Sequence, residues 1–309
     1  MLVKSWVSSG ARGAGEGREP KSPFEEEVSM SDHRVLNRIG IIGGHGLFGS
    51  WMRGVLERRG IEVLISDVGT ELSNVALVER ADAVIVSVPI GVTEGVLREI
   101  APAVRAGQLV IDLTSVKTPF LSVLAAMPSE VLSLHPMFSP SLLSVRGQSC
   151  IVCHVREGSM GAVFLELLSD EGIALEEMAP EQHDKLMAVV QGMTHFQAIV
   201  AGHCMATIGF NPADTLGAAS PVYRMRLVMI GRILAQSPRL YAEIQIFNPY
   251  VREIVAALER SSRVFADAIE ARDVDRFVAE FERARAGLAG FERAALEESD
   301  RVIAALAAG

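Results

Sequence analysis

The sequence predicts an α/β protein in which a doubly wound parallel sheet is followed by an all-helical second domain. Two observations carry this. Short β-branched runs alternate with helix-like segments as far as residue 179, and from Pro180 onward strand patterning does not return. A third observation is the loop Gly43-Gly44-His45-Gly46-Leu47-Phe48-Gly49, set between the first apolar run and the first helix.

In chain order, the strands are expected at Ile39–Ile42, Glu62–Ser66, Ala83–Val88, Leu109–Leu113, Val131–Leu134 and Cys150–Val155, with Glu171–Glu177 as a further edge strand. Nearly continuous apolar strands joined by crossovers indicate a parallel sheet covered on both faces. Helices are expected at Ser50–Arg58, Gly91–Ile100 and Phe120–Ala126. In the second half, Glu181–Ile208 reads as one long helix, because Leu186, Val189, Val190, Met193 and Phe196 recur at helical spacing. Further helices are expected at Pro221–Leu234, Tyr250–Ile269, Val274–Leu288 and Phe291–Ala307. The domain division is therefore residues 1–36 as a disordered tail, 37–179 as a nucleotide-binding domain and 180–309 as a helical domain. Residues 1–30 are rich in Gly, Ser, Glu and Pro, and Met30-Ser31-Asp32 would make a natural start.

The glycine loop has the order that a dinucleotide pyrophosphate needs, G-x-G-x-x-G between a strand and a helix, which makes the fold Rossmann-type. On this reading Gly44 permits the tight turn, Gly46 lets the backbone approach the phosphates, and Gly49 lets the helix pack on its strand. The helix N-terminus, with His45, Leu47 and Phe48 beside the glycines, offers free N–H groups to the anion. Asp67 ends the next strand, where a carboxylate hydrogen-bonds a ribose 2′-hydroxyl, and Val68-Gly69-Thr70 supplies no basic residue for a 2′-phosphate. NAD is the expected cofactor, ahead of NADP.

The formal charge of −9 argues against a nucleic-acid surface, and no apolar stretch approaches bilayer length. Without a signal-peptide pattern, and with three cysteines too few for a disulfide framework, a reducing cytoplasmic setting is expected. Cys150 and Cys153 lie within an apolar strand with no second pair to complete a zinc site, so they read as core residues and no metal is expected.

Ligands of doubly wound sheets bind beyond the carboxyl ends of the strands. Three segments end there: Ser87-Val88-Pro89, Thr114-Ser115-Val116-Lys117 and His135-Pro136-Met137-Phe138. His135 is the candidate acid–base, since an imidazole titrates near about 6.5. Ser115 either orients a hydroxyl or that imidazole, or is a turn residue. Lys117 either neutralises a phosphate or caps a helix. Asp112, within its strand, is a candidate buried structural acid. In the helical half, Arg224 and Arg232 are eight residues apart, about 80° around a helix axis and about 12 Å along it, and could face one cleft. Guanidinium groups at a cleft recognise carboxylates. Arg226 falls roughly opposite Arg224 and is expected in solvent.

Together these blocks resemble the prephenate dehydrogenases, of the type fused to chorismate mutase in enteric bacteria. The resemblance spans residues 38 to about 300. It rests on Gly43-Gly44-His45-Gly46, Ser87-Val88-Pro89-Ile90 with Val92-Thr93-Glu94, Asp112 to Lys117, Leu134 to Phe138, His195-Phe196, and Ser220 to Arg224 with Gly231-Arg232. It implies a homodimer joined through the helical domain and oxidative decarboxylation of a cyclohexadienyl carboxylic acid with NAD or NADP. By this resemblance His135 takes the hydroxyl proton with Ser115 assisting, and Arg232 binds carboxylate with Arg224, His195 and Tyr223 supporting. Ser87, Val88, Pro89, Thr93 and Thr114 are expected beside the cofactor.

The sequence departs from the family at Ser139-Pro140-Ser141, where Gly-Pro-Asp is common, and at Thr194, where the enteric relatives carry arginine. It also shows neither a chorismate mutase segment ahead of the fold nor a regulatory module after it. A stand-alone enzyme of this kind brings in 4-amino-4-deoxyprephenate as an alternative substrate, and arogenate as a weaker one. A non-catalytic dinucleotide sensor is the remaining alternative.

Overall fold

The computed structural model describes residues 36–308, so the expected tail and start site lie outside the described residues. A seven-stranded sheet carries the first half, in the order β2-β1-β3-β4-β5-β6-β7. The strands are β1 Arg38–Ile42, β2 Glu62–Ser66, β3 Ala83–Val86, β4 Leu109–Asp112, β5 Glu130–Pro136, β6 Ser149–Arg156 and β7 Ala174–Glu177. β1 to β5 are mutually parallel, and β1 pairs with both β2 and β3, which puts the point where strand order reverses beside the glycine loop.

Alternation along the strands divides the apolar side chains between two cores. Ile39, Ile41, Ile85, Ile111 and Leu134 face the helices α1 (Leu47–Arg58) and α5 (Ser159–Asp170). Ile42, Val84, Val86 and Val110 face α2 (Asn74–Arg80), α3 (Ile90–Ile100) and α4 (Leu121–Ala126). Burial on both faces explains why these strands read as unbroken apolar runs.

Two strands, β6 and β7, run against expectation. β6 is antiparallel to β5, because residues 137–148 between them contain no helix to carry the chain back across the sheet. β7 then pairs parallel with β6 at the edge. The glycine roles also shift. Gly43, not Gly44, makes the turn: its φ is +82°, and a Cβ there would stand 2.4 Å from the Ser87 carbonyl oxygen. Gly44 is constrained instead by β2, since a Cβ would meet Ile65 at 2.4 Å. Gly49 packs as expected, with no room for a Cβ against the Gly43 carbonyl.

After Glu177 the described chain is helical. α6 (Pro180–Met187), a π-helical segment Ala188–Met193 and α7 (Thr194–Thr207) follow without a break, so the expected long helix is present with a wider turn at its middle. Gly192 allows that turn to meet α10 (Val251–Glu270), where a Cβ would strike Val251, and its carbonyl accepts the Gln245 amide at 3.1 Å. Interruptions of this kind concentrate at functional sites. α8 (Pro221–Leu234) and α9 (Pro238–Phe247) each begin with serine at the N-cap and proline at the first helical position. α9, unforeseen in the sequence, packs on α3, and its Ile244 enters the sheet-face core. Its buried Glu243 accepts the Gly91 N–H at 3.1 Å and pairs with Arg239 at 2.8 Å. α11 (Val274–Gly287) and α12 (Glu292–Ala308) complete the chain. No helix among the described residues is long and apolar enough to cross a membrane.

Candidate active site

His135 is the next-to-last residue of β5 and is almost wholly buried. Its Nδ1 lies 2.8 Å from Nε2 of His183 on α6, and His183 Nδ1 lies 2.8 Å from Oδ1 of Asp184. Asp184 also accepts the Lys117 N–H at 2.9 Å, the Thr118 N–H at 2.8 Å and the Thr118 hydroxyl at 2.6 Å. The other face of His135 meets the π-helical segment, with Nε2 at 3.3 Å from the Gln191 amide nitrogen. Neither ring nitrogen of His135 bonds Ser115, so His183, and not Ser115, orients the imidazole.

Burial pushes the His135 pKa well below its ordinary value, with the neighbouring His183 and Lys117 acting in the same direction. His183 is lowered mainly by burial, against the opposing pull of Asp184. Burial alone would raise Asp184, but the hydrogen bonds from His183, Thr118 and Lys117 outweigh it and hold the carboxyl below the ordinary range. The site thus holds a neutral imidazole over a fixed carboxylate.

Behind β5 lies a second buried network. Asp112 pairs with Lys117 at 3.2 Å and accepts the hydroxyls of Ser133 and Thr114, while Lys117 Nζ also donates to the Leu134 carbonyl at 2.7 Å. Both side chains of the pair are fully buried. Lys117 therefore neither meets a phosphate nor caps a helix; it ties β4 to β5 just before His135. Asp112 is the structural acid expected of it. Cys150 and Cys153 are buried free thiols, pushed by burial to about 12 and about 11 respectively.

The helical wall contributes His195 on α7, whose ring stands edge-on to Tyr241 of α9 at 4.6 Å. His195 Nδ1 is buried without a hydrogen-bond partner among the described residues, and so is Oε1 of Gln191. Burial lowers His195 and raises Tyr241, the latter against the opposing charge of Arg232. Arg232, Arg224 and Arg226 are exposed. The Tyr223 hydroxyl bonds that of Thr215 at 3.0 Å on the 3-10 turn Pro212–Ala218 ahead of α8.

On the nucleotide side, α1 begins at Gly46 with no side-chain cap, and Gly46 and Leu47 are exposed. Asp67 sits at the rim, with Oδ2 accepting the His45 N–H at 2.8 Å and Oδ1 the Val68 N–H at 2.7 Å. Ser87 and Val88 lie against Gly43, and Pro89 opens α3. Two expected contacts turn inward. The Thr93 hydroxyl donates to the Pro89 carbonyl at 3.1 Å, and the buried Thr114 hydroxyl is held between Asp112 and the Val116 carbonyl. The half-buried Phe48 ring packs edge-on against Trp51 and tilted against Phe138. That cluster fixes the start of α1 against the segment following His135. A glycine-only turn beside an uncapped helix start, with a carboxylate at the rim, fits a dinucleotide.

His183, Asp184, Gln191 and Tyr241 were not singled out from the sequence. For the first two a signal existed: polar residues on the same helical face as the buried Met187.

A dinucleotide-type sheet, a buried imidazole at a strand end and a helical wall make up a Rossmann-like nucleotide-binding fold followed by a helical C-terminal part. Comparisons narrow this. Residues 57–147 match the family model described as prephenate dehydrogenase, nucleotide-binding domain, and residues 179–283 that of the prephenate dehydrogenase dimerization domain. A probable arogenate/prephenate dehydrogenase of Methanocaldococcus jannaschii is 33% identical over 261 residues, covering 78% of this chain. The chain spans 58% of that relative's own length. A 4-amino-4-deoxyprephenate dehydrogenase of Streptomyces pristinaespiralis is 28% identical over 289 residues, 87% of this chain and 96% of that protein. The fold is shared with a solved prephenate dehydrogenase from A. aeolicus in complex with hydroxyphenyl propionate and NAD+, at a TM-score of 0.63 and 18% identity over 82% of this chain and 97% of that one. The chain belongs to the prephenate dehydrogenase family.

Proposed function

We propose that this protein is an NAD-dependent dehydrogenase that oxidises and decarboxylates prephenate to 4-hydroxyphenylpyruvate. The observation that carries the reading is His135, a buried neutral imidazole at a strand end, with Nε2 facing Gln191 on the wall that also carries His195 and Tyr241. Bound NAD would supply the hydride acceptor, held at Gly44, Gly46 and Gly49 with its ribose on Asp67. The chain's own residues do the rest. His135 Nε2 takes the proton of the ring hydroxyl as the C4 hydrogen leaves as hydride. The bond to the ring carboxylate then breaks, its electron pair enters the ring, and the proton returns to the ring oxygen as the phenol forms. Arg232, with Arg224 and His195 in support, holds the substrate carboxylates by charge-assisted hydrogen bonds. Burial excludes water around the transferred proton.

A second reading, 4-amino-4-deoxyprephenate, is favoured by the Streptomyces relative, which this chain matches over almost its whole length. The Gln191 amide offers a donor to a hydroxyl oxygen or an acceptor to an amino group, so it suits either substituent. The reading includes a cytoplasmic homodimer formed through the helical domain. Large apolar side chains left exposed on that half, among them Val228, Phe281 and Leu296, support it.

The test is reduction of NAD by purified protein with prephenate and, in parallel, its 4-amino counterpart. Turnover of the first at the higher kcat/KM is expected. A clear preference for the amino compound moves the assignment to the second reading, and no turnover with either overturns both.

A further inference from the structure

We infer that His183 and Asp184 are positioning residues that lock His135 in the tautomer with Nδ1 protonated and Nε2 free to accept a proton. The inference deepens the proposed function, and it rests on His135 being the proton acceptor there.

Donor and acceptor bookkeeping gives the tautomer. Asp184 is surrounded by donors, two backbone N–H groups and the Thr118 hydroxyl, so it is an ionised, acceptor-only carboxylate. The 2.8 Å contact from His183 Nδ1 therefore needs the proton on that nitrogen. A neutral His183 then has only a lone pair at Nε2. The 2.8 Å contact with His135 Nδ1 in turn needs the proton on His135 Nδ1. What remains on His135 is a lone pair at Nε2, and the Gln191 amide nitrogen meets it at 3.3 Å as a donor. With His183 kept neutral by its burial, each assignment forces the next, starting from the carboxylate.

His183 and Asp184 are fully buried on α6. Asp184 also anchors the 117–118 turn, whereas the His183 ring has hydrogen-bond partners only in His135 and Asp184 among the described residues. An unassisted imidazole divides between tautomers, and the one with Nε2 protonated has no lone pair there to take the proton of the substrate hydroxyl. Once His135 has taken its proton, the Asp184 charge, relayed through neutral His183, offsets the imidazolium. The charged groups facing this chain from the sheet, Lys117 and Asp112, are paired with one another.

The decisive measurement is the nitrogen-15 spectrum of the full-length protein labelled at histidine, which distinguishes protonated from unprotonated ring nitrogens without any turnover. His135 is expected to show a protonated Nδ1 and a bare Nε2 near neutral pH. A protonated Nε2 overturns the proposal whatever the enzyme's substrate proves to be. In kinetics, Asp184→Asn puts an amide donor among the donors that Asp184 accepts and releases the lock. In a variant that still binds NAD normally, kcat should fall about 10²- to 10⁴-fold with KM nearly unchanged, the scale seen when a carboxylate that orients a catalytic histidine is neutralised. His183→Gln, whose amide oxygen can still accept from His135 Nδ1, should retain more activity than His183→Leu. Equal activity in those two, or a wild-type kcat in folded Asp184→Asn, overturns the role.

Discussion

The Ser87 carbonyl oxygen lies 2.4 Å from the point where a Cβ on Gly43 would stand, so the first strand can turn into the nucleotide loop only as glycine. Gly46 is different: a Cβ there would meet nothing closer than the Gly43 carbonyl at 3.2 Å. The two positions separate folding from binding. Gly43→Ala combines a left-handed backbone with a backbone clash and should cost about 1–3 kcal/mol or more of stability, read as a lowered melting temperature. Gly46→Ala should melt within a few degrees of the wild type yet bind NAD at least tenfold more weakly by calorimetry, because the added methyl group would crowd the loop on which the pyrophosphate is proposed to lie. Equal NAD affinity in Gly46→Ala and the wild type would remove the loop from cofactor binding.

Arg232 is exposed, and its charge opposes the burial that raises the Tyr241 phenol. A charge-assisted hydrogen bond to a carboxylate is worth about 1.5–3 kcal/mol. Arg232→Ala should therefore raise the KM for prephenate by about 10- to 150-fold and leave kcat within a few-fold, since the ring carboxylate is bound before it departs. Arg224→Ala should act in the same direction and more weakly. Steady-state kinetics at saturating NAD checks both. An unchanged KM in Arg232→Ala assigns the carboxylate to another group.

Asp67 decides the cofactor if its carboxylate reaches the ribose. It already accepts the His45 and Val68 N–H groups, one on each oxygen, which fixes its position and leaves lone pairs free for a 2′-hydroxyl. The same charge repels a 2′-phosphate. Asp67→Ser should lose NAD affinity and gain NADP affinity, narrowing the ratio of their kcat/KM values by at least tenfold. A ratio unaffected by the change would show that the rim carboxylate does not face the cofactor.

Much of this was legible in the residues because it is local. A glycine turn, an acid at the end of the next strand and a histidine near the end of an apolar strand each announce their chemistry within a few positions. Two features were not. The reversed direction of β6 leaves no trace in its own sequence, since a strand buried on both faces reads alike whether its neighbours run with it or against it. The His183–Asp184 pair acquires its meaning only from β5, 48 residues upstream, and a six-residue π-helical segment at Ala188–Met193 has the same apolar spacing as an α-helix. The sequence placed the wall residue His195 by its motif, but Gln191 needed that wider turn to be brought against His135.

The acid sensitivity of the fold follows from the same histidines. Folded His135 and His183 resist protonation, chiefly through burial, whereas in the unfolded chain both titrate near 6.5. Below that pH the unfolded state binds more protons than the folded one, so stability present above pH 6.5 is lost as the pH falls toward the folded values. Asp184 acts lower: its folded pKa is held below 3.8, so its contribution is intact above that value and is lost on further acidification. Two successive losses are expected in melting temperature against pH, the first beginning near pH 6.5 and the second near 3.8. In His183→Gln the upper loss should shrink while the lower one shifts little. The acid limb of kcat, set by the same buried imidazole, should lie below pH 6.5, because His135 works as a base only while it is neutral. A melting temperature constant between pH 7 and 5 would mean that these rings are hydrated in solution and free to charge.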